Sequence, residues 1–405
     1  MKSIDKYVNL INDYVRAHYK KMFREPKGIL KYHFIVPGSC YSNELWDWDS
    51  WLTDIALRQL NGIDDISEYE KGCILNFLTN TGENGETPIV ISPERCGFDF
   101  INKKETNIHK PMIAQHALFA GEQSGDYDWL KPYFDKLEAF ISFYFERCRH
   151  ESGLFFWIDD CAIGVDNDPC TFYRPDKSSA SILLNCLMYK ELLAMERLSR
   201  KFGFSEKADD YYAKACNLRE SIRKECWDER DGFFYSVDLN LLPIDKNSVL
   251  HSGSPRHWNC LLQRIGVWSG FLAMWSGIAT EEQAERMVVE HYLNERTFFA
   301  PFGVRTLSKM EKMYKIETSC NPSCWLGPVW GISNYMVFKG LVNYGYVREA
   351  RELAYKTIKL FGKDIEDCGE MHEYYDPETG KGISNQGFQS WNFLVLEIIR
   401  WVSGN

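Results

Sequence analysis

The chain has 405 residues, 45% hydrophobic and 26% charged, an ordinary soluble composition that excludes a disordered chain, a collagen and a simple coiled coil. Its net charge of −10, 57 acidic against 47 basic residues with no long Lys/Arg block, argues against nucleic-acid binding. No stretch approaches the roughly 18 apolar residues of a membrane span, and Met1 to Leu10 lacks a signal-like apolar run, so a cytoplasmic protein is expected.

Helical periodicity dominates in chain order. In 206–226 the apolar set Ala208, Tyr211, Ala215, Leu218 and Ile222 steps by three and four, which predicts a helix with one buried face. Similar patterns run over 3–22, 48–61, 66–79, 110–121, 129–148, 179–202, 259–276, 281–292, 328–342, 346–361 and 388–402, making twelve expected helices. Strand patterns are few and short, and no Pro/Ser/Gly-rich linker divides the chain, so 1–405 reads as one domain. An acidic turn, a Gly and aromatics recur at Glu151-Ser152-Gly153 and at Asp231-Gly232-Phe233; a third acidic-Gly turn lies at Asp376 to Gly380. Repeating helical hairpins with their loops on one face build solenoids and toroids. Twelve helices as six hairpins predict an all-α (α/α)6 barrel with long loops at one mouth.

Those loops are where chemistry concentrates. The first carries Tyr41, then Trp46-Asp47-Trp48-Asp49-Ser50-Trp51. Read plainly, an Asp caps a helix there and the Trp pack; read functionally, flat rings cover the C–H face of a pyranose while carboxylates take its hydroxyls. The second, Gly164-Val165-Asp166-Asn167-Asp168-Pro169, concentrates acids in a turn and lacks the EF-hand spacing. The third is Trp325-Leu326-Gly327-Pro328-Val329-Trp330 before a helix, and the fourth is Glu370 to Gly380 followed by Trp391. Asp166 and Glu373 form a candidate pair, because glycoside hydrolysis needs one protonated and one ionised carboxyl.

Other chemistries find weaker support. The 13 cysteines are an odd number; Cys161/Cys170 and Cys320/Cys324 lack CxxC spacing and have no nearby His at zinc-finger distance, so buried thiols and no metal site are expected. A sugar epimerase would want His pairs near the mouth; His109/His116 and His251/His257 are the pairs available. A phosphorylase would need clustered cations, and Arg174, Arg256 and Arg305 are scattered. No P-loop or dinucleotide fingerprint occurs, so no cofactor is expected.

Taken in order, these motifs resemble the catalytic domain of glycoside hydrolase family 63, within the trehalase-like and glucoamylase-like (α/α)6 enzymes. The resemblance adds Lys110-Pro111 with Ala114-Gln115, Phe302 to Ser308 with Tyr314, and Trp391. The compact length is most like the mannosylglycerate and glucosylglycerate hydrolases of that family. It implies an inverting, exo-acting α-glycosidase acting on a small α-glucoside or α-mannoside. Asp166 would be the general acid and Glu373 the general base, with Asp168 and Glu370 as rivals. Positions implied to line the sugar site are Trp46, Trp48, Asp49, Gln115, Gly164, Trp325 and Trp330, with Tyr41 and Gln386 or Gln389 as looser matches. The expected partner is a small carbohydrate, and a homo-oligomer is compatible with everything above. The chain departs from the family pattern at Asp168-Pro169-Cys170 and at Cys324, which puts the aglycone side of the site in question.

Overall fold

The stripe at 208–222 is the simplest test of periodicity. In the computed structural model, which describes residues 2–60, 62–97, 108–160, 163–172, 174–241, 258–317 and 322–404, those five side chains are the buried ones of a 21-residue helix. The described residues form twelve α-helices. They are α1 (Lys2–His18), α2 (Asp47–Leu57), α3 (Ser67–Thr79), α4 (Ile113–Ser124), α5 (Phe134–Arg147) and α6 (Ile182–Lys201). Then follow α7 (Ser205–Glu225), α8 (Leu272–Trp275), α9 (Glu281–Arg286), α10 (Gly331–Asn343), α11 (Val347–Cys368) and α12 (Val395–Ser403).

Even-numbered helices pack on one another in a closed cycle: α2 on α4, α4 on α6, α6 on α8, α8 on α10, α10 on α12, and α12 back on α2. Odd-numbered helices lie outside, with α3 against α4, α7 against α6, and α11 against α10, α12 and α1. This is the (α/α)6 barrel. Its two rings differ as their positions require: α6 and α10 bury most of their side chains, whereas α7 buries only its stripe. Each large apolar side chain moved from water into such a core contributes about 1.5–3 kcal/mol.

Neighbouring inner helices are tied together where α4 begins. Glu191 of α6 accepts from the backbone N–H groups of Ala114 (2.7 Å) and Gln115 (3.0 Å), which α4's own helix leaves unpaired. The long connections carry only short strands, such as Leu45–Trp46 with Val90–Ile91, and Val329–Trp330 with Tyr374–Tyr375. Among the described residues, no helix is long and apolar enough to cross a membrane.

One expected helix is largely replaced. Of 259–276, only Trp268–Phe271 as a 3-10 turn and α8 are helical, and Leu261–Leu262 pairs as a strand with Val237–Asp238. The apolar residues of 267–275 are buried on all sides, so their spacing carries no facial period to read. The expected helix 281–292 begins as α9 under a Thr280/Gln283 capping box and continues as the π-helical segment Met287–Tyr292.

Candidate active site

Three segments leading into inner helices converge at one mouth of the barrel. Trp46 precedes α2, Trp330 precedes α10, and Trp391 lies in the 3-10 turn Ser390–Leu394 leading into α12. The rings form one wall: Trp325 stacks on Trp330 with centroids 3.8 Å apart, Trp330 stacks on Tyr374 at 4.7 Å, and Trp48 meets Trp391 edge-on at 5.2 Å. Offset and edge contacts of this kind add about 0.5–1.5 kcal/mol each beyond burial. Most of the indole N–H groups are spent on the scaffold. Trp330 Nε1 donates to the Cys324 carbonyl (2.9 Å) and Trp325 Nε1 to Ser323 Oγ (3.1 Å), while the buried Nε1 of Trp391 has no partner.

The wall borders a cleft whose space, open mouth included, is about 440 Å³. Nine residues singled out from the sequence line it: Tyr41, Trp46, Trp48, Asp49, Gly164, Asp166, Trp325, Trp330 and Glu373. Pro37, Ser323, Phe388 and Trp391 complete it. Of these, Trp391 had a sequence signal through its motif and Ser323 through the run Asn321-Pro322-Ser323-Cys324 that leads into Trp325; Pro37 and Phe388 had none. Gln115 and Gln386 are not in the lining. Gln115 Nε2 donates to the carbonyls of Pro111 (2.9 Å) and Leu187 (3.1 Å), tying α4 to α6. Gln386 is exposed, and its carbonyl accepts from Ser39 Oγ (3.0 Å).

Beneath the cavity lies a fully buried ion pair. Lys110 Nζ sits 3.1 and 3.2 Å from the two oxygens of Asp47, and the Lys110 backbone N–H donates to the same carboxylate at 2.9 Å. The ammonium also lies 4.4 Å from the centre of the Trp48 ring, a cation–π contact that holds the indole as floor. Gly164 closes this corner at φ +68°; a Cβ there would fall 2.9 Å from Lys110 Nζ and 3.1 Å from Trp48, so only glycine fits.

The carboxylates sit in contrasting surroundings. Glu373 is 6% exposed, its backbone N–H pairs with the Ser384 carbonyl at 3.0 Å, and Asn385 Nδ2 donates to its Oε2 at 3.2 Å. Burial pushes its carboxyl up to about 8, Asp49 and Asp166 add to the rise, and the Asn385 hydrogen bond opposes it. Asp49 accepts from Ser390 Oγ at 2.7 Å, and burial still raises it to about 7. Burial likewise raises Tyr41, with Glu373 adding. Asp166 differs: its side chain is exposed on a loop between the buried Val165 and Asn167, and Asn167 Oδ1 accepts from the Trp325 N–H at 2.8 Å.

Neither rival acid lines the cavity. Asp168 is buried, its Oδ1 accepting from the Cys170 N–H (2.9 Å) as in an Asx turn. Glu370 accepts from the Tyr14 hydroxyl at 2.6 Å, behind the site. The departures at Cys170 and Cys324 are likewise buried. His109 and His116 are both buried away from the lining, His116 against Asp54. The lining contains no Lys or Arg among the described residues; Arg174 pairs with Asp238 and Arg305 with Glu378. Cys161, Cys320, His251, His257 and Arg256 lie outside the described residues.

A Trp-walled pocket with acidic groups, set at the N-terminal ends of the inner helices of a six-hairpin toroid, defines an (α/α)6 glycoside hydrolase. Comparison with known proteins sharpens the class. The model of the mannosylglycerate hydrolase MGH1-like glycoside hydrolase domain matches residues 41–392, and the chain belongs to that family. It is 30% identical over 417 residues to mannosylglycerate hydrolase MGH1 of Selaginella moellendorffii, covering 88% of this chain and 80% of that protein. It is 24% identical over 435 residues to the cytosolic neutral trehalase of Kluyveromyces lactis, covering 88% of this chain and 54% of the trehalase. The chain thus spans about half the length of the trehalases it matches. In fold it is similar to the glycoside hydrolase family 63 mannosylglycerate hydrolase from Thermus thermophilus in complex with glucose. There the TM-score is 0.69 at 18% identity, over 96% of this chain and 99% of that one. The neutral trehalase of Saccharomyces cerevisiae gives 0.66 at 17%, over 92% and 73%.

Proposed function

We propose that the chain is an inverting, exo-acting α-glycosidase that releases one glucose or mannose unit from a small soluble α-glycoside, glycerate conjugates among the candidates. The observation that carries this is the placement of Glu373 and Asp166 in the lining of one aromatic-walled cavity. Asp166 protonates the glycosidic oxygen as the C1–O bond breaks. Glu373 takes a proton from a water that attacks C1 from the opposite face. The cycle leaves Glu373 protonated and Asp166 ionised, and one proton exchange through solvent resets both. A base raised to about 8 binds the water's proton more firmly than an ordinary carboxylate would, but only its ionised form can accept it, so turnover should rise with pH up to about 8. Trp48 and Trp325 supply flat faces for the sugar, and Asp49 is placed to accept from its hydroxyls.

A second assignment, with the two roles exchanged, is favoured by one observation: Glu373 is buried and its carboxyl is raised to about 8, which suits a general acid. Leaving-group dependence separates the two. The function itself is tested by incubating the purified chain with α-glucosides and α-mannosides, including glycerate conjugates and trehalose, and measuring free sugar. Release by the wild type that disappears in both Asp166→Asn and Glu373→Gln is expected. Sugar binding without release from any of them would make the chain a binding protein.

A further inference from the structure

The sequence places Asp364, Cys368 and His372 at successive intervals of four. Asp364 and Cys368 are one turn apart at the end of α11; Gly369 closes the helix at φ +76°, and the chain then swings His372 back over the same face. One oxygen, one sulfur and one ring nitrogen from the three lie within 4.8 Å of one another. Asp364 Oδ1 is 3.3 Å from Cys368 Sγ and 3.1 Å from His372 Nδ1. A tetrahedral zinc ion, with bonds of about 2.3 Å to sulfur and 2.0–2.1 Å to nitrogen and oxygen, holds its ligand atoms roughly 3.3–3.6 Å apart. The protein therefore presents two of the three spacings to within a few tenths of an ångström.

We propose that Asp364, Cys368 and His372 form a binding site for a borderline-soft divalent cation, best suited to Zn²⁺. The ligand set of one thiolate, one imidazole and one carboxylate matches that class of metal. The supporting shell is built: Asp364 is 7% exposed, and its Oδ2 accepts from the Tyr375 hydroxyl (2.8 Å) and the His372 backbone N–H (2.9 Å) and lies 2.9 Å from His372 Nδ1, while Oδ1 faces both Cys368 Sγ and Nδ1, the contacts an ion would replace. Cys368 is exposed, giving the ion a way in and a fourth position for water. The site lies at a helix C-terminus, where the unpaired carbonyls favour a cation. On binding, the Cys368 thiol gives its proton to solvent as the S–Zn bond forms. His372 binds through the Nδ1 lone pair with its proton on Nε2. Because Glu373 follows His372, the ion would fasten the end of α11 to the segment that carries Glu373 into the strand Tyr374–Tyr375. Binding itself does not depend on the catalytic assignment.

The test uses the full chain stripped with a chelator and titrated with ZnCl₂ by calorimetry, with Co²⁺ as a spectroscopic probe. Wild type is expected to take up one Zn²⁺ at this site and to show a raised unfolding temperature with the ion. Its Co²⁺ form should show thiolate charge-transfer absorption. Cys368→Ser, an exposed substitution, should lose affinity at least tenfold together with that band, and Asp364→Asn should also weaken binding. No uptake by wild type overturns the proposal. So does a loss below tenfold in Cys368→Ser, which would place the ion elsewhere, for example at the exposed Cys40 or Cys96.

Discussion

The two walls of the cavity are built differently. Glu373 sits just before the short strand Tyr374–Tyr375, buried, with its backbone paired to Ser384 and its carboxyl held by Asn385. Asp166 sits exposed on a loop anchored by Gly164 and by the Asn167–Trp325 hydrogen bond. One carboxyl is pre-organised and already dehydrated. The other still faces water. Under the proposed mechanism the water-activating side is rigid, while the leaving-group side, where aglycones vary, is open.

The largest expected effect breaks or confirms that contrast directly. Glu373→Gln should lower turnover by about 10³–10⁴-fold for every substrate, whereas Asp166→Asn should do so only for poor leaving groups. With a dinitrophenyl glycoside, whose departure needs no proton, Asp166→Asn should stay close to wild type. The reverse pattern, measured as kcat on the two substrate types, exchanges the roles.

Next comes the floor shared by both walls. Lys110→Met should destabilise the fold by about 3–5 kcal/mol in denaturant unfolding, because it leaves Asp47 buried and unpaired. Adding Asp47→Leu should recover much of that loss. A cost under about 1 kcal/mol for Lys110→Met would mean that the ion pair does not hold the floor.

Glu373 also titrates as a stability group. Its folded carboxyl at about 8 lies above the ordinary 4.5, so the folded state holds the proton more tightly than the unfolded chain. The resulting stability is fully present below about pH 4.5 and is lost as pH rises through 8. Glu373→Gln removes that loss, and the variant should gain on the order of 1–3 kcal/mol over wild type near pH 8. Unfolding midpoints that differ equally at pH 4.5 and pH 8 would contradict the buried environment. The smallest effect is electrostatic. Removing the neighbouring charge in Asp49→Asn should move the acidic limb of the kcat/KM profile to lower pH, by under about one unit. A shift upward would show that Asp49 does not face Glu373 as a charge.

Much of the helical scaffold was legible because outer helices must show one apolar face: the stripe of α7 was readable residue by residue. The 259–276 segment was not, since burial on every side erases the period. At the site, tryptophans beside acids in polar loops were visible, and nine of the eleven site residues expected from the sequence line the cavity. Gln115 lies outside the lining, where it serves as a hydrogen-bonding tie between helices, a use that a glutamine at a helix start suits equally well. Pro37 and Phe388 reach the cavity only through long-range chain reversal: Gly38 and Phe388 form an isolated antiparallel bridge joining segments 350 residues apart. No local pattern announces that. Asp364 and Cys368 gained meaning only when Gly369 turned His372 back toward them.

The central claim, that Asp166 and Glu373 act from opposite faces of one bound sugar, is tested most directly by proton NMR during the first turnovers of an α-glucoside or α-mannoside. The account predicts that the β-anomer of the free sugar appears first and the α-anomer only later, by mutarotation. If the α-anomer appears first, water has not attacked from the face opposite the leaving group, and the proposed roles of the two carboxyls are wrong.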